Sequence, residues 1–388
     1  MLDPVPARRL ASFYFAYYAA LGAFTPYWSL FLKARGQDVA AIGVLMSLWY
    51  ATRVVAPSSW SWLAARSPRP VRWLRIGCAL TLASFALFLL PLGFAGLFAA
   101  MCAFCFGYNA VMPQFESITL SHLVGRSALY GRIRVWGSAG FIAVVAGFGV
   151  AFDYVPMTWL PALMLPIYAL LFASSFANDY RTTPAPEVTA PGSFRKLLAR
   201  REVIAFFAIA LLAQISFGPY YTFFSIYLEY HGYRPSALGI YWAIGVAAEI
   251  ALFYVSARVF ARWDATHVLI FGLVSAALRW WTTALFPENV ALMVFAQLTH
   301  ALNFAAYFAA CMQLLVRYFP GRNNGHAQGL YYGFSSGVGG VFGALLAGWL
   351  WKFDNGRVAF LVAGGFAALA SIVALVALRP RAQPQLAS

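Results

Sequence analysis

Five titratable side chains stand inside long apolar runs of this 388-residue chain: Arg53, Glu116, Glu249, Arg279 and His300. A charge at mid-bilayer costs about 2.5–3.5 kcal/mol on insertion scales, so such groups persist where they pair, bind or relay protons. The two guanidiniums offer planar forks for a carboxylate. The two carboxyls and the imidazole offer seats for a mobile proton. Asn109, Pro113 and Glu116 fall at i, i+4 and i+7, on one helix face, and Gln297, His300, Asn303 and Tyr307 lie close to one stripe of another. In a bundle, polar stripes of this kind face inward. Tyr17, Phe24 and Tyr27, and again Tyr220, Phe224 and Tyr227, repeat at helical spacing and suit the walls of a pocket for a ring. The plainer alternative is static pairing, Arg53 with Glu116 and Arg279 with Glu249, with His300 a packed neutral histidine. Phe, Trp and Tyr make up 18% of the chain, so packing and lipid contact account for many of the aromatics.

These residues need elements to hold them. The chain is 62% hydrophobic and 10% charged, with a mean hydropathy of +0.71. A soluble domain carries about 25% charged residues; a chain this apolar belongs in a bilayer. A span needs about 20 apolar residues, and twelve such segments follow one another: 10–32, 39–64, 74–92, 96–121, 133–152, 159–177, 202–228, 235–261, 267–286, 290–316, 327–350 and 357–378. Their continuous apolarity fits helices rather than the alternating strands of a barrel. The N-terminal MLDPVPARRL leads into the first segment without a small-residue cleavage site and reads as its cytosolic start.

Apart from Arg53 and Arg279, twenty of the Lys and Arg residues fall in one set of alternating loops, termini and span ends and five in the other. The positive-inside rule then places both termini in the cytoplasm. The net charge of +15 is thus a topology signal; no basic patch on a soluble domain suggests nucleic-acid binding. Cys102 and Cys105 form a CxxC, yet no histidine or second pair lies at metal-ligand spacing. Nothing in the sequence asks for a metal or a cofactor.

The chain also reads as two copies of one unit. The Pro- and Thr-rich polar stretch NDYRTTPAPEVTAPGSFRKLLARRE divides it into bundles at 1–177 and 202–388, joined by a cytoplasmic linker at 178–201. A shift of 196 residues lays WSLFLKARG (28–36) on FSIYLEYHG (224–232) and places Gly22 on Gly218, Gly43 on Gly239, Gly147 on Gly343 and Arg53 on Glu249. Six spans per copy is even, so the copies share orientation about an axis along the membrane normal. The expected fold is all-α: twelve transmembrane helices in two pseudo-symmetric six-helix bundles.

YYAALGAFTPYWSLFLKARG, YGRIRVWGSAGF, PYYTFFSIYLEYHGY and ALGIYWAIGVAAEIALF resemble the phenylpropionate permease branch of the major facilitator superfamily, close to the lactose permease and nucleoside symporter groups. The resemblance runs over nearly the whole chain. It implies alternating access, substrate sites at the midplane between the repeats, and a monomer in a bacterial inner membrane. One departure is plain: the loop motif between the second and third spans is reduced to WLAARSPRPVR, without its Asp. Against the lactose permease pattern, Glu116, Arg134 and Arg279 look like the acid of the fourth span and the arginines of the fifth and ninth. The tenth span reads HALN, so His300 is present but Asn303 replaces the proton-carrying glutamate. Glu249 then becomes the expected proton carrier, with Glu116 next.

The leading expectation is a proton-coupled symporter importing a small aromatic organic acid, with Arg53, Arg279, Asn109, His300, Asn303, Tyr27, Tyr220 and Phe224 as substrate contacts. A sugar or nucleoside symporter, in which Glu116 and Asn109 bind hydroxyls, is the first alternative. An efflux pump for hydrophobic compounds is the second. The sequence holds no nucleophile–base pair or P-loop, which argues against an enzyme or an ATP-driven pump.

Overall fold

The computed structural model describes residues 5–126, 128–180, 193–321 and 323–379; no strand occurs among them. Residues 181–192 of the expected linker lie outside the described residues. The expected spans all fall on helices, because in lipid each backbone N–H and C=O must be satisfied within its own segment. They are α1 (Ala7–Ala34), α2 (Val39–Ala65), α3 (Val71–Ala86), α4 (Phe94–His122), α5 (Ala128–Ala151), α6 (Leu160–Phe176), α7 (Arg201–Tyr230), α8 (Pro235–Arg262), α9 (Ala265–Leu285), α10 (Val290–Tyr318), α11 (Asn323–Leu350) and α12 (Arg357–Ala377). Eleven of them are long and apolar enough to cross a membrane. The exception is α1, which is long enough at 28 residues but dilutes its apolarity with Arg8, Arg9 and the tyrosines at 14, 17, 18 and 27.

Local chemistry explains the ends. Asp38 caps α2 by accepting from the Ala41 amide at 2.7 Å, and Asp264 caps α9 by accepting from the Thr266 amide at 2.9 Å. Such caps satisfy donors that the first turn leaves open. Three departures from regular helix were not legible beforehand. The α7 rod breaks at Phe217 between Arg201–Ser216 and Gly218–Tyr230. Wide π-turns interrupt α10 at Ala301–Ala306 and α11 at Tyr331–Gly339.

The chain divides into two compact units. Unit 1 comprises Met1–Glu187 with Phe224–Ala243, and unit 2 comprises Val188–Phe223 with Ile244–Ser388. In unit 1, α1 packs on α5 and α6, and α3 packs on α4 and α6. In unit 2 the counterpart helices pair the same way, α7 with α11 and α12, and α9 with α10 and α12. The repeat seen in the sequence is therefore a repeat of packing. One pair of glycines makes this concrete. A Cβ on Gly22 would sit 2.6 Å from the Phe141 carbonyl oxygen on α5, and a Cβ on its counterpart Gly218 would meet the Gly343 backbone on α11. Overpacking of this kind costs about 1–3 kcal/mol, so each glycine sets the approach of a helix pair.

Unit 1 has an aromatic core of Trp28, Phe85, Phe88, Phe104 and Tyr168, each at most 1% exposed. At one end of the unit, Lys33 reaches Glu229 at 2.7 Å, with both side chains about half exposed. Unit 2 centres on Phe206, Leu269, Leu273, Leu314 and Tyr331.

Candidate functional site

In unit 2 the polar residues of α7, α8, α9 and α10 converge on one guanidinium. Arg279 is 2% exposed, and its Nη1 donates to His300 Nδ1 at 2.5 Å and to Asn303 Oδ1 at 3.1 Å. Its Nη2 donates to Gln297 Oε1 at 2.8 Å, an oxygen that also accepts from the Tyr220 hydroxyl at 3.2 Å. The guanidinium carbon lies 4.2 Å from the centroid of the Tyr220 ring and 4.7 Å from that of Trp280, within cation–π range. The π-turn beginning after His300 widens α10 where Asn303 must join Gln297 and His300 around the same cation.

Beyond His300 stands Glu249, whose Oε1 lies 2.6 Å from Nε2. Arginine can only donate, so Nδ1 is the acceptor and the ring proton sits on Nε2, donated to the Glu249 carboxylate. The result is a line of three groups: cation, neutral imidazole, anion. A second proton on the imidazole would turn Nδ1 into a donor and break its bond to Arg279. A proton on Glu249 leaves every one of these bonds possible. Among the described residues, three buried donors at Arg279 and its neighbours meet no acceptor: its own Nε, Gln297 Nε2 and Trp280 Nε1. Buried donors seldom go unpaired.

Unit 1 holds two further clusters. Arg53, half-buried on α2, donates from Nε to Asn109 Oδ1 at 3.4 Å and lies over the Trp49 ring at 5.2 Å. Asn109 is fixed in turn by donating to the Trp49 carbonyl and the Thr52 hydroxyl, both at 2.9 Å. No carboxylate reaches Arg53 among the described residues. Glu116 instead takes the Tyr130 hydroxyl at 3.1 and 3.2 Å and faces Arg134 Nε at 3.8 Å. Arg134 also donates to the Tyr18 hydroxyl.

The alternative of direct static pairing fails for both pairs. Glu116 lies seven residues beyond Asn109, or ~10 Å along the helix, which is too far for an arginine already held at Asn109. Arg279 and Glu249 are linked, but only through His300. Of the expected contacts, Arg279, His300, Asn303, Tyr220 and Glu249 come together in unit 2, and Arg53 joins Asn109 in unit 1. Tyr27 is fully buried and donates to the Val145 carbonyl at 2.6 Å, while Phe224 packs against Trp242. Trp280, Tyr18 and Tyr130 were missed. A chain so rich in aromatics gives no local cue that singles them out.

Comparison with known proteins turns this geometry into a family. A model described as the MFS_1 like family matches residues 7–362. The chain belongs to the MFS_1 like family. This MFS_1 like protein is similar to the probable 3-phenylpropionic acid transporter of Escherichia coli (strain K12), at 26% identity over 97% of this chain and 98% of the relative. It is also similar to the maltose permease of Geobacillus stearothermophilus, at 27% identity over 87% and 86% of the two chains. Among solved structures, the nucleoside transporter NupG shares the fold with a TM-score of 0.81 at 14% identity, covering 97% of this chain and 99% of that one. A bacterial homologue of the human lysosomal transporter Spinster gives a TM-score of 0.75, also at 14% identity, covering 97% and 98%. The MFS_1 like protein is thus a membrane-embedded secondary transporter of a small molecule, not an enzyme.

Proposed function

We propose that this transporter takes up a small aromatic carboxylate, of the phenylpropionate kind, together with a proton. The observation that carries the reading is Arg279: a buried guanidinium with neutral ligands only, tied to Glu249 through His300, with unfilled donors beside it. A substrate carboxylate satisfies those donors, and the Tyr220 and Trp280 rings offer faces to its aromatic end.

Charge balance supplies the coupling. With Glu249 ionised, Arg279 and Glu249 cancel. Adding a substrate anion leaves one excess negative charge in a site shielded from water, where charge is costly. One proton on Glu249 restores neutrality and keeps the bond from His300 to Arg279. Substrate and proton then favour each other's binding by the same factor, as linkage requires. The likeness to the 3-phenylpropionic acid transporter supports the substrate class. The bias of Lys and Arg supports a bacterial inner-membrane orientation with both termini cytoplasmic. The site needs no second copy of the chain, and we take the working form as a monomer.

The test is uptake into proteoliposomes with the interior one pH unit more alkaline. Labelled 3-phenylpropionate should enter faster than into protein-free liposomes, and benzoate-like acids should compete while maltose and uridine should not. Uptake of maltose or uridine without uptake of the acid would overturn the proposal.

A further inference from the structure

We propose that unit 1 carries a separate binding site for the phosphoethanolamine headgroup of a membrane phospholipid, in the cavity where α4 and α6 end beside the starts of α1 and α3. The cavity measures about 310 Å³ and is lined by Arg9, Arg75, His122, Phe176, Asn178 and Asp179, among others. None of these residues belongs to the clusters described above.

Its charges are arranged without being used. Arg9 and Arg75 have no carboxylate within 4.0 Å among the described residues, although Asp179 lines the same cavity. Arg75 Nε is buried without a hydrogen-bond partner among the described residues, and its guanidinium carbon lies 5.2 Å from the centroid of the Phe176 ring. Asn178 is 3% exposed, and its Oδ1 has no donor. Its Nδ2 is already spent on the Ser174 carbonyl at 2.9 Å and the Arg9 carbonyl at 3.3 Å, so the amide cannot simply turn over. His122 Nε2 donates to the Asp179 carbonyl at 2.9 Å, which holds the acid-bearing segment against the end of α4.

Asp179 is exposed and its Oδ1 accepts from the Tyr180 amide at 2.8 Å; with two guanidiniums, a buried unfilled amide oxygen and this carboxylate on its rim, the cavity suits a guest carrying both signs. The anionic part must be planar-fork compatible, as a phosphate is. The cationic part must carry N–H donors to fill Asn178 Oδ1 and meet Asp179. Phosphoethanolamine has both, whereas phosphocholine lacks the N–H and phosphoglycerol lacks the cation. The depth favours a lipid over a soluble ester. His122 and Phe176 are the last residues of their candidate spans, and Arg75 lies one turn inside its own. This is the headgroup level of a bilayer. Ile76, Leu170 and Phe176 are 46%, 51% and 56% exposed on the adjoining helices, leaving an apolar flank for acyl chains.

The experiment uses the delipidated full-length protein in detergent, with thermal unfolding followed as phosphatidylethanolamine, phosphatidylcholine or phosphatidylglycerol is added. Phosphatidylethanolamine should raise Tm saturably, with the other two needing roughly tenfold more lipid, the weight of one charge-assisted hydrogen bond. Arg75→Gln and Asp179→Asn should each weaken the ethanolamine lipid by about tenfold, and Asp179→Asn should leave the glycerol lipid unchanged. Should Arg75→Gln fail to fold, the exposed Arg9→Gln replaces it, read by native mass spectrometry of retained lipid. Equal action of all three lipids, or a wild-type response in the Asp179→Asn and arginine variants, would overturn the site. The same Tm rise with soluble O-phosphoethanolamine alone would overturn its assignment to lipid.

Discussion

Replacing Glu249 by glutamine keeps a hydrogen-bond acceptor but removes the seat for a proton. The amide oxygen can still take the Nε2–H of His300 where the carboxylate now takes it at 2.6 Å, so Arg279 keeps its bonds to His300, Asn303 and Gln297. The change from a charged to a neutral acceptor is worth about 1 kcal/mol, too little to dismantle the site. The net charge becomes that of the wild type with Glu249 protonated, the state argued above to accept the substrate anion. Binding and counterflow exchange should therefore survive. Accumulation should not. One coupled proton contributes about 1.4 kcal/mol per pH unit, which is tenfold in concentration ratio. Wild-type liposomes with an interior one unit more alkaline should approach tenfold accumulation, and the variant should stop near equality. A monoanion moving with one proton carries no net charge, so valinomycin-clamped potentials should leave the wild-type rate unchanged. Neutral acid leaks through lipid by itself, so rates are taken over seconds and corrected with protein-free liposomes. A Glu249→Gln protein that still concentrates substrate, beside a Glu116→Gln protein that cannot, would refute the reasoning and move the proton to Glu116.

Four other outcomes follow from the same structure. Arg279→Lys should lose at least tenfold in substrate affinity, measured by binding to purified protein, because one ammonium cannot replace a fork that serves three acceptors and still presents Nε. Arg279→Ala should abolish binding, since the neighbouring acceptors and Glu249 lose their buried cation. Asp264 caps α9 and pairs with Arg317; burial alone would raise its carboxyl, but Arg317 and Thr266 outweigh that and hold it below its ordinary 3.8. A depressed carboxyl stabilises the fold above 3.8 and loses that contribution as pH falls through its folded value. Asp264→Asn keeps the cap but loses the charge that meets Arg317, so it should lower stability at pH 7 by about 1 kcal/mol, with the gap to wild type closing in acid. Finally, Arg200→Cys in a cysteine-free background should resist impermeant thiol reagents in intact cells; labelling from outside would reverse the proposed orientation.

The helices and their repeat were legible because lipid enforces them. A segment such as 39–64 has no stable form in a bilayer but helix, and Gly22 and Gly218 recur because two helix pairs each need a backbone approach. Arg279, His300 and Asn303 were legible for the same reason, since polar groups in apolar runs must face one another. Their partners were less so. The spacing of Glu116 and Arg53 allowed a pair, yet Asn109, fixed by Trp49 and Thr52, holds Arg53 elsewhere. Glu249 and Arg279 suggested a direct bridge, and only the fold shows the imidazole between them. The π-turn after His300 is a feature that local composition does not encode.

The contact between Lys33 and Glu229 joins two positions that the 196-residue shift superposes. Each residue touches its own counterpart, as a residue on a twofold axis of a homodimer touches itself. An unduplicated ancestor with identical copies would have set lysine against lysine or acid against acid there. Opposite charges at such a point are possible only once the copies are free to differ. This pair is therefore something a symmetric pair of identical copies could not have: a self-contact that attracts. Restoring the ancestral sameness with Glu229→Lys would set two ammonium groups where a bridge now stands.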